Sequence, residues 1–137
     1  MPNLLAVFAC GVASIITGSV WYGPLFGKKW MEICKVSAED LAKRAEMQKA
    51  ALPLYLVQFI LSLFQAFILA YLINAHSTFS SLHLSILIWA AFIMPTVAGS
   101  SMWNNDTKNI KWTKFLIQAS YQLLNMVVFG LIIAYWQ

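Results

Sequence analysis

The chain has 137 residues, of which 61% are hydrophobic and only 10% charged, with a net charge of +4 and a mean hydropathy of +0.70. A soluble domain is about one quarter charged, and a soluble helical bundle shows a polar face on each helix, so this composition excludes both. The nine basic and five acidic side chains fall in two segments, residues 28–49 and 106–114, with signs mixed in the first, a pattern of membrane-flanking loops rather than of a nucleic-acid-binding surface.

Four uncharged stretches remain, approximately residues 4–22, 50–75, 82–102 and 115–136. Each reaches the roughly 18 residues that a helix needs to cross a bilayer. The expected fold is all-α: one domain, residues 1–137, a bundle of four transmembrane helices with a short cytoplasmic helix between the first two.

The first stretch lacks the basic start of a secretory signal and continues past signal length, so it reads as a retained helix. Gly11, Ser14 and Gly18 share one face on which another helix can approach closely. At its end, Trp21, Tyr22, Pro24, Phe26, Gly27, Lys28 and Trp30 read as a helix break and aromatic anchor at the headgroups, with the lysines marking the boundary. In the loop that follows, Ser37 is a candidate cap with Asp40 three residues on. Glu39 with Lys43, and Asp40 with Arg44, have the spacing of helical ion pairs. Pro53 then marks a kink or a new start near the membrane entry.

The second stretch carries Gln58, Ser62 and Gln65 on one helical face, and the fourth carries Gln118, Gln122 and Asn125 in the same rhythm at an offset of about 60 residues. The two sets, with Tyr121, are expected to face each other, as polar glue between helices or as the lining of a polar cavity. Their likeness also suits a parallel two-plus-two repeat. Between the second and third stretches, residues 76–83 contain no Lys or Arg; His76 and His83 flank this connection and are expected to be solvated rather than to bind metal. In the third stretch, Pro95 followed by Thr96, Gly99 and Ser100 predicts a kink that faces another helix.

All nine Lys and Arg residues lie in the first and last connections, so the positive-inside rule puts both termini outside the cytoplasm of a multi-pass protein of the plasma (inner) membrane. Cys10 and Cys34 fall at different depths and are expected to be free thiols. No Asp, Glu, Lys or Arg lies within any stretch. That argues against the proton-coupled mechanism of the small multidrug antiporters. No nucleophile–base pair, phosphate-binding loop or paired carboxylates is evident, so no enzyme activity and no cofactor are expected. The expectation is a non-enzymatic accessory or structural membrane protein, homo-oligomeric in the bilayer through its small-residue face. The alternative is a channel or carrier for a small uncharged solute, lined by the amide stripes of spans two and four.

The segment from Val20 to Met31 resembles the signature of small, mostly bacterial membrane proteins catalogued as domain of unknown function 1761. The end of the chain is similar too, in Phe115, Leu116, Ile117 and Tyr121, then Gly130, Leu131 and Ile132 before Trp136. Pro95 and Asn104 fall where third-helix features of that family are expected. The resemblance covers nearly the whole chain and implies four helices in one domain; it assigns no activity.

Overall fold

The computed structural model describes residues 1–34, 41–76 and 78–137, with the side chains of Leu41 and Arg44 excepted. Ser37, Glu39 and Asp40, with the cap and ion pairs expected of them, lie outside the described residues. The elements are α1 (Leu4–Val20), a π turn (Trp21–Leu25), α2 (Gly27–Ile33), α3 (Leu41–Ala75), α4 (Ser81–Ile88), a second π turn (Trp89–Ile93), α5 (Met94–Met102) and α6 (Lys108–Tyr135). Four segments are long and apolar enough to cross a membrane: Leu4–Leu25, Ala45–Ala75, Ser81–Met102 and Lys108–Tyr135. No strand occurs among the described residues, and the architecture is that of an all-α polytopic membrane protein.

Local chemistry explains the element ends. Asn3 caps α1 by accepting from the backbone N–H groups of Leu5 and Ala6, and Ser80 caps α4 by accepting from that of His83. A short helix does lie between the first two spans, but it is α2, formed by the segment read as a helix break and anchor, and not the helix expected from Ser37. From Leu41 on, the charged stretch belongs to α3 itself, which runs unbroken through Pro53. α6 likewise begins at Lys108, so three lysines assigned to a loop occupy its first two turns. Lysines there oppose the helix dipole. Asp106, just ahead of the helix, offsets them and binds Lys114 Nζ at 2.7 Å.

Two of the three prolines beyond the first turn of a span sit at π turns, Pro53 of α3 being the exception. Pro24 lies inside the first, closed by the Phe26 N–H donating to the Trp21 carbonyl, and Pro95 follows the second, closed by the Met94 N–H donating to the Trp89 carbonyl. The wider turn makes room for a ring that has no N–H and would clash with the preceding turn. Pro95 itself is exposed rather than directed at a neighbouring helix. The third span approaches α6 through Ser81, Ser85 and Ser101, all buried.

Packing is a row rather than a closed ring. α6 lies between α1 on one side and α4–α5 on the other, α3 lies along α1, and α3 barely touches α4 or α6. Where the termini meet, Asn3 Nδ2 donates to the Trp136 carbonyl and Gln137 Nε2 to Asn74 Oδ1. The core sits towards this terminal end: Val7 and Cys10 from α1, Ala66, Leu69, Ala70 and Ile73 from α3, Met126, Phe129 and Ile133 from α6. The described lysines lie at the opposite, basic end of the row. A parallel two-plus-two repeat would make the α1–α6 seam equivalent to the seam between α3 and the third span, yet the first is packed and the second open. Small side chains close one; Leu61, Phe64 and Ile68 stand along the other.

The small-residue face of α1 is filled from within the chain. A Cβ on Gly11 would stand 2.6 Å from Leu63 Cδ2, and one on Gly18 would stand 2.9 Å from the Tyr121 hydroxyl. Ser14 is buried, and its carbonyl accepts from that hydroxyl at 3.1 Å. α1 therefore offers this face to α3 and α6, not to a second subunit. Apolar side chains are instead exposed all along α3, including Leu54, Leu56, Ile60, Phe64 and Tyr71, a surface suited to lipid and not to water.

Candidate functional site

The aromatic segment after α1 folds back beneath the row. Gly27 lets α2 press against the π turn, since a Cβ there would lie 2.9 Å from the Tyr22 carbonyl oxygen. Trp21 Nε1 donates to the Ile117 carbonyl at 3.0 Å, and Phe26 packs on the Trp21 ring. Trp89, in the other π turn, donates to the Ala119 carbonyl at 2.9 Å. Two tryptophans thus pin α6 between the first and third spans. Trp21→Phe keeps the ring and deletes the donor; it should cost about 1 kcal/mol, seen as a lowered melting temperature in mild detergent.

Tyr22 stands edge-on to Trp30 at 5.0 Å and to Tyr121 at 5.3 Å. These rings form one wall of a cleft of about 650 Å³ that opens at the basic end, a volume within the roughly 300–1,000 Å³ of small-molecule sites. α1 contributes Ser14, Gly18 and Ser19 to it, α3 Gln48, Tyr55 and Gln58, α5 Ser100, and α6 Gln118, Tyr121 and Gln122. An adjoining recess of about 580 Å³ carries it past Gly23, Pro24 and Gly27 to Lys28 at the mouth. The cleft proper is lined by amides, hydroxyls and aromatic rings together with Ile15, Met47, Ala51 and Val97, and no charged side chain is among its described lining.

The six stripe residues are divided. Gln58, Gln118 and Gln122 meet on the cleft. Ser62 is buried and lies within hydrogen-bond reach of Gln58 Nε2 on its own helix, at 3.5 Å. Gln65 reaches across to Met126 Sδ at 3.7 Å. Asn125 is buried, and its Oδ1 accepts from Thr17 of α1 at 2.7 Å; Gln118 Oε1 accepts from Ser101 of α5 at 3.4 Å. Amides of spans two and four do not bond one another directly among the described residues, because α3 is held away from α6 and nearer helices supply the partners.

Gln48, Tyr55 and Ser19 were not expected at the site, nor Thr17 as the partner of Asn125. The stripe on α3 continues backwards as Gln58, Tyr55, Ala51 and Gln48, at steps of three and four, so the periodicity was there to follow. Taking Pro53 as a boundary cut it short. His76 and His83 are exposed at the terminal end, where His83 stacks on Phe79. Cys10 is buried and Cys34 exposed, both free thiols. No group of three or more His, Cys, Asp or Glu among the described residues is placed to hold a metal ion.

No curated protein and no solved structure matches the chain. A family model described as a protein of unknown function, DUF1761, matches residues 5–134, taking in the folded-back aromatic segment, the cleft and the helix that both tryptophans pin. On that match, the chain belongs to the DUF1761 family.

Proposed function

We propose that this is a non-enzymatic integral membrane protein that binds a small uncharged molecule in the cleft, as a receptor or carrier site rather than an open pore. The observation that carries the reading is a partly polar cleft that runs from the basic end to Gln122, a side chain with no protein partner at membrane depth. Gln122 lies eight residues past Lys114, about 12 Å along the helix. It, Gln48 and Tyr55 make no side-chain hydrogen bond among the described residues and line the cleft. Gln122, that far into a bilayer, needs water or a ligand, while Gln48, beside Lys49, stands at the mouth. Towards the terminal end, Cys10, Ala66, Met126 and Phe129 are packed, which favours binding over steady passage. The hydroxyls of Ser14, Ser19 and Ser100 share the cleft with no histidine or carboxylate to activate them, which supports a non-catalytic role. An accessory, helix-packing role accounts for the Asn125–Thr17 and Gln118–Ser101 pairs, but not for Gln48, Tyr55 and Gln122.

The basic end faces the cytoplasm in this reading, with both termini outside. In a Cys34→Ser background, Gln122→Cys should react with a membrane-impermeant thiol reagent in inverted membrane vesicles and not in intact cells. Ser62→Cys should stay unreactive in both, and Ser80→Cys should react in intact cells. Lack of labelling at Gln122 from either side would show that the cleft is dry and overturn the binding site; labelling from the cell exterior would reverse the orientation.

A further inference from the structure

The geometry points to a neutral amphiphile as the molecule this site takes, its uncharged hydrogen-bonding head in the cleft and one apolar chain along the seam between α3 and the third span. This rests on the binding reading above and names the ligand class. Gln58 lines two spaces at once: the polar cleft, and an apolar groove of about 400 Å³ with Leu61 and Leu72 on one wall, Ile88 and Ile93 on the other and Met126 at its base. From Gln58 to Leu72 the groove follows α3 for about 21 Å, parallel to the spans and so to the chains of the surrounding lipid. Polar at one end and apolar along the rest, the seam matches a molecule with the same two zones.

Other occupants leave one zone unmatched. A compact polar solute would satisfy Gln48, Tyr55 and Gln122 and leave the groove to bulk lipid. An apolar molecule would fill the groove and strand those three side chains. A charged head would enter a cleft whose described lining holds no counter-charge, Lys28 lining only the adjoining recess. A second copy of this chain would bring no suitable partner, since its own mid-span amides lie in the same seam or are already paired to its first and third spans.

Native mass spectrometry of the full chain in mild detergent tests this with an unsaturated monoacylglycerol as the neutral amphiphile, and with glycerol and phosphatidylglycerol as the head alone and an anionic counterpart. The monoacylglycerol should be retained saturably, ahead of both. Leu61→Trp fills the groove from an exposed position, Gln122→Leu removes a polar partner from the cleft, and Leu54→Trp alters an exposed position of α3 outside both. The first two should weaken retention by about tenfold and the third should leave it unchanged, with melting temperatures showing that all three fold.

Absence of monoacylglycerol retention, stronger retention of phosphatidylglycerol, or equal retention by Leu61→Trp and Leu54→Trp would overturn the proposal. So would a disulfide-linked dimer through Leu61→Cys in the Cys34→Ser background, which would put a second copy in the seam. The two readings fail separately: labelling at Gln122→Cys with an inert Leu61→Trp keeps the cleft and removes the amphiphile, whereas an unlabelled Gln122→Cys removes both.

Discussion

Gly130→Ala is expected to destabilise the protein by about 2–3 kcal/mol, the cost of overpacking a seam that cannot give. A Cβ at this position would lie 2.5 Å from Ser85 Oγ and 3.2 Å from the Ser81 carbonyl oxygen. Ser85 is fully buried, and its hydroxyl donates to the Ser81 carbonyl at 2.7 Å, so it cannot swing aside without abandoning that bond. Small residues on both helices bring α4 onto α6 at a distance that a methyl group prevents. Ser85→Ala should restore most of the loss in the double variant, since it removes the closest atom. Gly11→Ala gives the contrast: its nearest neighbours are the ends of the Leu63 and Phe59 side chains, half-buried and able to turn, so its cost should stay below about 1 kcal/mol. Thermal unfolding in a single detergent ranks the three variants. Equal losses at Gly11 and Gly130 would refute the tight α4–α6 seam.

Phe129→Ala should cost about 3 kcal/mol. Phe129 is fully buried within the core at the terminal end, and its carbonyl lies 3.9 Å from Cys10 Sγ. In lipid the transfer part of the usual cavity penalty is muted, because the unfolded side chain also sits among hydrocarbon. What remains is the loss of close contacts around a void that helices pinned on both sides cannot close. Leu131, two residues on and more than half exposed, should change stability by less than about 0.5 kcal/mol when replaced by alanine. A similar loss at both positions would mean that the core does not hold the helices together.

The membrane architecture was legible because its cause is local. A run of uncharged apolar residues is a spanning helix whatever its neighbours are, and lysines mark its ends. The stripe of Gln58, Ser62 and Gln65 was legible as a helical face, as was the small-residue face of α1. Which helix each face would meet was not. Gly11, Ser14 and Gly18 read equally well as a dimer face, and only the placement of Leu63 and Tyr121 turns them inward. Asn125 gave no sign that its partner would be Thr17 rather than an amide of span two.

The aromatic segment marks the same divide. From residue types alone, Trp21, Tyr22 and Trp30 belong at the headgroups, and the chain does turn there. The return of that turn beneath the first span, with Trp21 on a carbonyl of α6 and Tyr22 beside Tyr121, depends on a π turn around Pro24 and on contacts nearly a hundred residues apart in the chain. Composition and periodicity therefore determined the class of this protein, the number of its spans and the polarity of its faces, since these follow from the solvation of individual helices. Tertiary structure alone decided that the fourth span, α6, is the central one, that one seam closes on small side chains while the other is held open by large ones, and that four amides and four aromatic rings share a cleft. Those are outcomes of which surfaces fit each other, and shape complementarity between distant segments leaves no pattern within either segment.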